Sequence, residues 1–239
     1  MTDRQKQIFE AIVQEFMKQA GAVGSMSIVL HHSIGVSPAT VRNEMVDLAN
    51  KGYLSKEHCS SGRIPTDLGL RFFIKELMEE EPLKNTDEVD MRIRVFRNRF
   101  DEEKLMSDIL TFLSEETGYA ALSYVNDMLR YRGLSMLLDY DELRDIEVLD
   151  GLLRILESKT ILNRVLSGSN SEEEIRVVIG KESDIDGLND CAIICSLFCY
   201  VGGKKGYLGV IGPRRMRYSK AIPVVKKVSR VLENAVRGW

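Results

Sequence analysis

The chain has 239 residues, which is long enough for two modest domains, and its 44% hydrophobic content provides a core for each. A formal net charge of −3 argues against a protein that coats nucleic acid through bulk positive charge, but permits sequence-specific binding through a locally basic face. No apolar run approaches the length of a membrane span and the polar N-terminus does not resemble a signal peptide, so we expect a cytoplasmic protein.

The start of the chain predicts two helices and a turn. An amphipathic first helix is expected to open at Thr2 or Asp3, and a short second helix to run from Ser25 to about His32. The turn that follows contains Gly35 and has the spacing of a helix–turn–helix motif.

The next segment predicts the recognition helix of such a motif. Ser37 is a favourable N-cap, and Pro38 suits the first helical position. Three apolar side chains fall on one face of this helix: Val41, Met45 and Leu48. The outward face carries short or forked polar side chains, namely Thr40, Arg42, Asn43 and Asp47. A helix of this size fits the DNA major groove and can present such groups to base edges.

A two-stranded wing is predicted directly after this helix. A strand begins at Tyr53, and the small turn at 60–63 carries a cation. A basic loop beside a recognition helix is the geometry of winged-helix DNA binding. The alternative is a helical domain that binds another protein. The side chains that favour DNA over this alternative are Arg42, Asn43, Lys51, Lys56 and Arg63.

Several segments of the chain resemble the heat-inducible transcription repressor HrcA family. They are VGS at 23–25, SPATVRNEM at 37–45, SGRIPTDLGLRFFI at 61–74, GYAALSY at 118–124 and the long run at 190–236. They occur in the order that the family has. GRIPTD after a helix with the letters RNEM is far more specific than a generic helix–turn–helix.

The resemblance implies an α+β fold with an N-terminal winged helix-turn-helix domain, a connecting helix and a C-terminal GAF-like α/β domain. A polar break with Pro82 places the expected boundaries, and gives domains at 1–80, 81–117 and 118–239. From Tyr119 onward, short strands alternate with helices, which agrees with this expectation.

The connecting segment predicts one long helix from Val89 to Glu116, with Asp101 as the point where it could break. Its apolar stripe consists of Ile93, Phe96, Phe100, Leu105, Ile109 and Leu113. This stripe is larger than one small wing domain needs to cover, so we expect a homodimer through this helix and the C-terminal domain. The arginines in its first half, Arg92, Arg94, Arg97 and Arg99, are interpreted as a solvated face.

The cysteines indicate a reducing environment and core packing rather than a metal cluster. Cys191, Cys195 and Cys199 repeat every four residues, so on a strand they project from one face. The pairs His31-His32 and His58-Cys59 are expected to diverge, and we assign no metal and no cofactor. Ser, His and Asp residues lack a recognisable nucleophile setting, so we expect no enzyme activity.

The resemblance further implies a repressor of heat-shock chaperone genes that binds double-stranded DNA at an inverted-repeat operator. Release on heating and recovery through a GroE-type chaperonin are implied by the family alone. Base contact is assigned to Thr40, Arg42 and Asn43. Backbone or wing contact is assigned to Ser25, Ser37, Lys51, Lys56, Ser60, Arg63 and Arg71. Glu44 is expected to pair with a neighbouring cation.

The chain departs from the family in three places. Only 125–130 occupies the position where the family carries a long middle insert associated with dimerisation. Met26 stands where a basic residue is common, and Arg214 and Arg217 add charge that has no account at this level. Two other functions stay open: a winged-helix protein-interaction module, and a ligand-responsive regulator with a GAF-like sensor domain.

Overall fold

The structure, a computed structural model, describes residues 1–56, 62–167, 174–199 and 205–236. The chain divides into two compact units, Met1–Glu79 and Glu80–Trp239. In the described residues, the helices are too short or too polar to span a bilayer. The finer division at 81–117 and 118–239 stays a prediction.

The first unit contains four helices and a short hairpin. In chain order they are α1 (Asp3–Lys18), α2 (Ser25–His31), α3 (Pro38–Asn50), β1 (Leu54–Ser55), β2 (Ile64–Pro65) and α4 (Asp67–Phe72). The sequence predicts a helix from Asp67 to about Glu80. In the structure a wider π-helical turn, Phe73–Leu77, continues α4, so the helical segment ends three residues earlier. The strands pair in antiparallel register, with Leu54 opposite Pro65.

Side-chain caps explain where these helices begin. The Thr2 hydroxyl accepts a hydrogen bond from the Gln5 amide, and the side-chain oxygen of Gln5 accepts one from the Thr2 amide. The Thr66 hydroxyl caps α4 by accepting a hydrogen bond from the Gly69 amide at 3.0 Å. The core beneath them is apolar and fully buried: Ile8, Phe9, Ile12, Val13, Ile28, Val41, Leu48 and Leu70.

A buried carboxylate joins α1 to α2. The side chain of Glu15 accepts hydrogen bonds from Lys18 Nζ (2.7 Å) and Ser27 Oγ (3.2 Å). His31 Nδ1 lies 2.8 Å from one carboxylate oxygen and His32 Nε2 lies 3.0 Å from the other. The expectation that the two histidines diverge was wrong, because α2 ends at His31 and His32 is extended. The described residues hold no group of three His, Cys, Asp or Glu side chains suited to a metal ion.

These contacts make Glu15 a stabilising anion. Hydrogen bonding from Lys18, reinforced by His31 and His32, lowers the pKa of Glu15 from 4.5 to about 2, although burial opposes the shift. A carboxylate with a depressed pKa contributes stability that is fully present above its unfolded-state pKa. That contribution is lost as the pH falls from 4.5 towards 2.

The second unit contains five α-helices and five strands among its described residues, together with short 3-10 helical turns. The α-helices and strands are α5 (Asn85–Arg97), α6 (Glu102–Thr117), β3 (Ala120–Val125), β4 (Met128–Arg132), α7 (Ile146–Glu157), α8 (Lys159–Ser167), β5 (Ile175–Ile179), β6 (Cys191–Cys199), β7 (Lys205–Pro213) and α9 (Tyr218–Val236). Asp101 caps α6 through the Lys104 amide, so the expected long helix is two helices that break at this residue. The sequence also predicts a hairpin turn at 202–205 and a closing helix that runs to about Arg237, and both lie, in whole or in part, outside the described residues.

The five strands form one antiparallel sheet in the order β4-β3-β7-β6-β5. On one face, α7 and α8 cover a core that includes Leu122, Ile193 and Cys195. On the other face, α6 and α9 pack, and the hydroxyls of Ser196 and Ser229 meet at 2.9 Å. The sheet therefore has helices on both faces.

The cysteine row of β6 is only partly in this core. Cys191 and Cys195 are buried, and burial raises the pKa of each thiol to about 12, so neither is a reactive thiolate. Cys199 lies at the end of the strand and is exposed, against the expectation that all three pack in the core.

A two-residue turn stands where the family resemblance implies an insert. Asn126 and Asp127 both have positive φ, at 52° and 60°, which is the geometry of a tight hairpin between β3 and β4. The Tyr124 hydroxyl donates to the Asp127 carboxylate at 2.8 Å and fixes this turn. Strands β3 and β4 are therefore joined directly, at the position where the family resemblance implies a long insert.

The start of the second unit is fastened to α9. The Glu81 carboxylate accepts hydrogen bonds from the Arg217 guanidinium (2.9 and 3.1 Å) and the Ser219 hydroxyl (2.6 Å). The Glu81 amide donates to the Ser219 carbonyl oxygen at 2.8 Å, and Lys226 pairs with Glu80. Hydrogen bonds from Ser219 and Arg217 lower the pKa of Glu81. Arg217 thereby acquires a structural role that its sequence position did not indicate.

We expect Glu15→Gln to lower the free energy of unfolding by on the order of 3 kcal/mol at pH 7, from the size of the pKa shift. Urea unfolding followed by circular dichroism at several pH values measures it. The difference from the wild type should shrink as the pH falls below 4.5. The control is Glu10→Gln, on the same helix, whose carboxylate accepts a hydrogen bond from exposed Gln14. An equal loss in both variants, or a difference independent of pH, would contradict the role of Glu15.

Candidate nucleic-acid interface

Burial of one face of α3 decides which of its side chains meet solvent. Val41, Met45 and Leu48 are buried, as the sequence predicts. On the opposite side, Arg42 and Asn43 are exposed. The helix thus presents a guanidinium and an amide side by side on a rigid element.

The N-terminal turn of α3 is held by its own hydroxyls. Exposed Ser37 caps the helix by accepting from the Thr40 amide at 3.2 Å, and the two hydroxyls lie 3.0 Å apart. Thr40 is half-buried rather than fully exposed. Its hydroxyl is therefore already engaged before any partner arrives.

Val46 belongs to the exposed face and was missed by the sequence analysis. Its side chain is 42% exposed, one helical turn after Arg42 and three residues after Asn43. An apolar side chain outside the buried stripe of a helix is the signal that could have revealed it. In a major groove, such a group can contact the methyl group of thymine.

Glu44 fixes the rotation of α3 from behind. It is buried, and its two oxygens accept from Arg4 Nε at 2.8 Å and Gln5 Nε2 at 2.9 Å. Hydrogen bonds from Gln5 and then Arg4 lower its pKa. The expectation that Glu44 pairs with a cation is confirmed. The side-chain oxygen of Gln5 in turn accepts a hydrogen bond from Lys51 Nζ at 2.9 Å. Lys51, which the sequence predicts to contact the DNA backbone, is therefore held on the side of α3 that carries Glu44.

The hairpin is joined to the segment before α2. The backbones of Val23 and Arg63 exchange two hydrogen bonds of 2.9 Å. Gly62 is required there, because a Cβ at this position would lie 2.1 Å from the Val23 carbonyl oxygen. The Arg63 guanidinium donates to the Gly62 carbonyl through Nη1 at 3.3 Å, while its Nε is buried without a hydrogen-bond partner in the described residues.

The other predicted contacts have mixed placements. Lys56 is exposed just after β1, and Arg71 is half-buried on α4. Ser25 is buried at the start of α2. Ser60 lies outside the described residues. Their contacts with DNA stay predictions.

The comparison with known families gives a direct assignment. Residues 40–222 match the family model described as HrcA protein C terminal domain. The chain belongs to the HrcA family. The match covers most of the chain and includes most of α3, both strands of the hairpin and all five strands of the second unit's sheet.

Curated relatives carry the name heat-inducible transcription repressor HrcA. The protein of Pelotomaculum thermopropionicum is 26% identical, and the alignment covers 100% of this chain and 99% of the relative. That of Halalkalibacterium halodurans is 27% identical, with 97% and 96% covered. Relatives have about 340 residues against 239 here, consistent with a short form of the family.

One solved structure has the same fold. It is described as a crystal structure of a hypothetical protein, with a TM-score of 0.81 and 18% sequence identity. The match covers 98% of this chain and 99% of the other. At this identity it establishes the architecture alone.

We expect Gly62→Ala to loosen the hairpin, because the added Cβ forces the Val23–Arg63 bridge apart at a cost of roughly 1–3 kcal/mol. Hydrogen exchange of the Val23 and Arg63 amides measures the opening, and both should lose protection. Gly24→Ala is the matched control, since a Cβ there meets nothing within 4 Å. Unchanged protection in Gly62→Ala would show that the close approach does not hold the hairpin.

Proposed function

We propose that this protein is a DNA-binding repressor of heat-shock chaperone genes, with a winged-helix first unit and a GAF-like second unit. The observation that carries this proposal is the exposed Arg42-Asn43 pair on a helix that is capped, buried on one face and joined to a basic hairpin. The names of the curated relatives support the regulatory role.

Specificity would come from three adjacent side chains of α3. Arg42 can donate two hydrogen bonds to guanine N7 and O6, and Asn43 can pair with adenine N6 and N7. Each such pair is worth roughly 1–3 kcal/mol of discrimination against the wrong base. Val46 adds an apolar contact to a thymine methyl group. Thr40 would contribute with Ser37 at the helix start, where its hydroxyl already lies.

Affinity would come from contacts to phosphate. Lys56 directly follows β1 and Arg63 directly precedes β2, so the two cations stand at the ends of the hairpin loop. From there they would approach the DNA backbone. Ser37 offers a hydroxyl at the N-terminus of α3, where Pro38 has no amide hydrogen and the Thr40 amide already donates to that hydroxyl. The remaining proposed contacts are Ser25, Lys51, Ser60 and Arg71. Of these, Lys51 must release Gln5, and Ser25 must come out of its buried position, before either can reach a phosphate.

Assembly and regulation follow from the family to which the chain belongs. Because one such helix contacts one half-site, an inverted-repeat operator needs a homodimer. We propose that heating releases the repressor and that a GroE-type chaperonin restores it. The ion-paired Glu15 site is where the first unit would lose α2 if its contacts were broken.

A protein-interaction module is the second candidate. Met26 and Leu30 are largely exposed and lie one turn apart on α2, so they form an apolar pair on the surface of the first unit. Met26 occupies a position where a phosphate-contacting cation was expected. A protein partner on α2 would use this pair in place of DNA.

Binding by variants separates base contact from backbone contact. Using fluorescence anisotropy, we expect Arg42→Ala and Asn43→Ala to lose roughly 5- to 150-fold in affinity for the preferred duplex, but little for random duplex. Arg63→Ala should weaken both equally and lower the salt slope by about one unit. Arg144→Ala, an exposed arginine of the second unit, is the control and should change neither.

The thymine contact is tested in the same assay. Replacing one thymine at a time with uracil removes its methyl group and should cost about 1 kcal/mol at a single position. That loss should vanish in Val46→Ala.

Equal losses on preferred and random DNA for Arg42→Ala, Asn43→Ala and Arg63→Ala would contradict the assignment of base contact to α3.

A further inference from the structure

Helix α5 carries a row of apolar side chains that faces away from its own unit. Met91 and Val95 form its inward side and are buried. Val89, Ile93, Phe96 and Phe100 are 55, 56, 66 and 80% exposed, with Phe100 just beyond the end of the helix. On a soluble protein, a contiguous apolar patch of about 300–600 Å² commonly marks an interaction site.

The spacing of this row is the same from either end. Positions 89, 93, 96 and 100 are separated by four, three and four residues. When a second copy of the helix runs in the opposite direction, Val89 comes opposite Phe100 and Ile93 comes opposite Phe96. A two-fold interface requires this reciprocity, in which one residue meets another and the reverse contact also forms.

The charges of α5 favour antiparallel over parallel pairing with a second copy. The first half of the helix is acidic, through Asp87, Glu88 and Asp90, and the second half and the turn after it are basic, through Arg92, Arg94, Arg97 and Arg99. Antiparallel pairing puts each acidic half against a basic half, and it places Asp90 on the same flank of the interface as Arg97 of the second copy. Parallel pairing would bring the arginines together. Antiparallel helix dipoles favour the same arrangement.

The side chains of the row are already organised for contact. The Arg99 guanidinium lies 3.9 Å from the centre of the Phe96 ring and 4.3 Å from that of Phe100, so it holds both rings in one surface. Beside them, a groove of about 490 Å³ extends to Val231 and Ala235 at the end of α9. The groove enlarges the area that a second copy could cover beyond α5 itself.

We propose that α5 is a homodimerisation helix, whose row Val89, Ile93, Phe96 and Phe100 packs antiparallel against the same row of a second copy. This rests on the two-fold assembly proposed above and assigns its surface. The chain has a two-residue turn where the family resemblance implies a middle insert associated with dimerisation. The row on α5 offers it another surface for pairing.

Sedimentation of the full chain at micromolar concentration tests the surface. The wild type is expected to be a dimer, and Ile93→Glu combined with Phe96→Glu is expected to be a monomer with an unchanged circular-dichroism spectrum. Ile146→Glu alters an even more exposed isoleucine, on α7, and should leave the dimer intact. A monomeric wild type, or a double variant that stays dimeric, overturns the proposal and leaves the row to a different partner.

Charge reversal tests the orientation without introducing buried charge. Asp90→Arg and Arg97→Asp should each weaken self-association, since each places like charges opposite one another. Mixed in equal amounts, the two variants should form a heterodimer, because both charge pairs are then restored. Failure of the mixture to associate more tightly than either variant alone overturns the antiparallel register.

A duplex with one half-site separates this proposal from that of DNA binding. The monomeric double variant should bind a single half-site as the wild type does, and lose only the cooperativity between half-sites. A dimeric wild type that binds no duplex would contradict the proposed function and leave the α5 interface standing. A wild type that binds duplex as a strict monomer would do the reverse.

Discussion

The burial of one face of α3 is the constraint on which the candidate interface depends. Val41, Met45 and Leu48 fix the depth of the helix, and the remaining freedom is rotation about its axis. Glu44 removes that freedom, because a buried carboxylate needs its partners, and Arg4 and Gln5 of α1 supply them. Turning the helix would leave this charge unpaired, so the direction of Arg42 is determined by chemistry on the opposite side of the same helix.

The elements next to α3 are also held by a small number of specific contacts. The Glu15 carboxylate holds α2 against α1, and the Val23–Arg63 backbone bridge attaches the hairpin to the segment before α2. Gly62 permits that bridge, because a Cβ would collide with a carbonyl oxygen. A surface organised before its partner binds loses less conformational entropy on binding, which would be the advantage of having the proposed base contacts on α3 and not on a loop.

Much of this could be predicted from the sequence, since capping and apolar spacing are local signals. The cap at Ser37, the buried stripe of α3 and the break at Asp101 all come from neighbouring residues. The sequence could not decide which stripe of α5 is buried, because Met91 and Val95 compete with Ile93 and Phe96 at the same helical period. Packing against α6 and α9 makes that choice.

Long-range contacts explain the other differences. His31 and His32 meet the same carboxylate only because α2 ends between them, which depends on where Glu15 lies across the core. Arg217 pairs with Glu81, 136 positions away, so no local pattern could assign it a role. Cys199 follows the spacing of two core cysteines but lies at the exposed end of the strand, where the core no longer covers it.

The proposed function depends on recognition of a particular DNA sequence by α3. Selection of bound molecules from a random pool of duplex DNA, using the full chain at moderate salt, is the measurement that bears on it. We expect enrichment of two half-sites in inverted orientation, each with guanine, adenine and thymine at neighbouring positions, and loss of that preference in Arg42→Ala. Binding that enriches no sequence, or enrichment unchanged in Arg42→Ala, would contradict it.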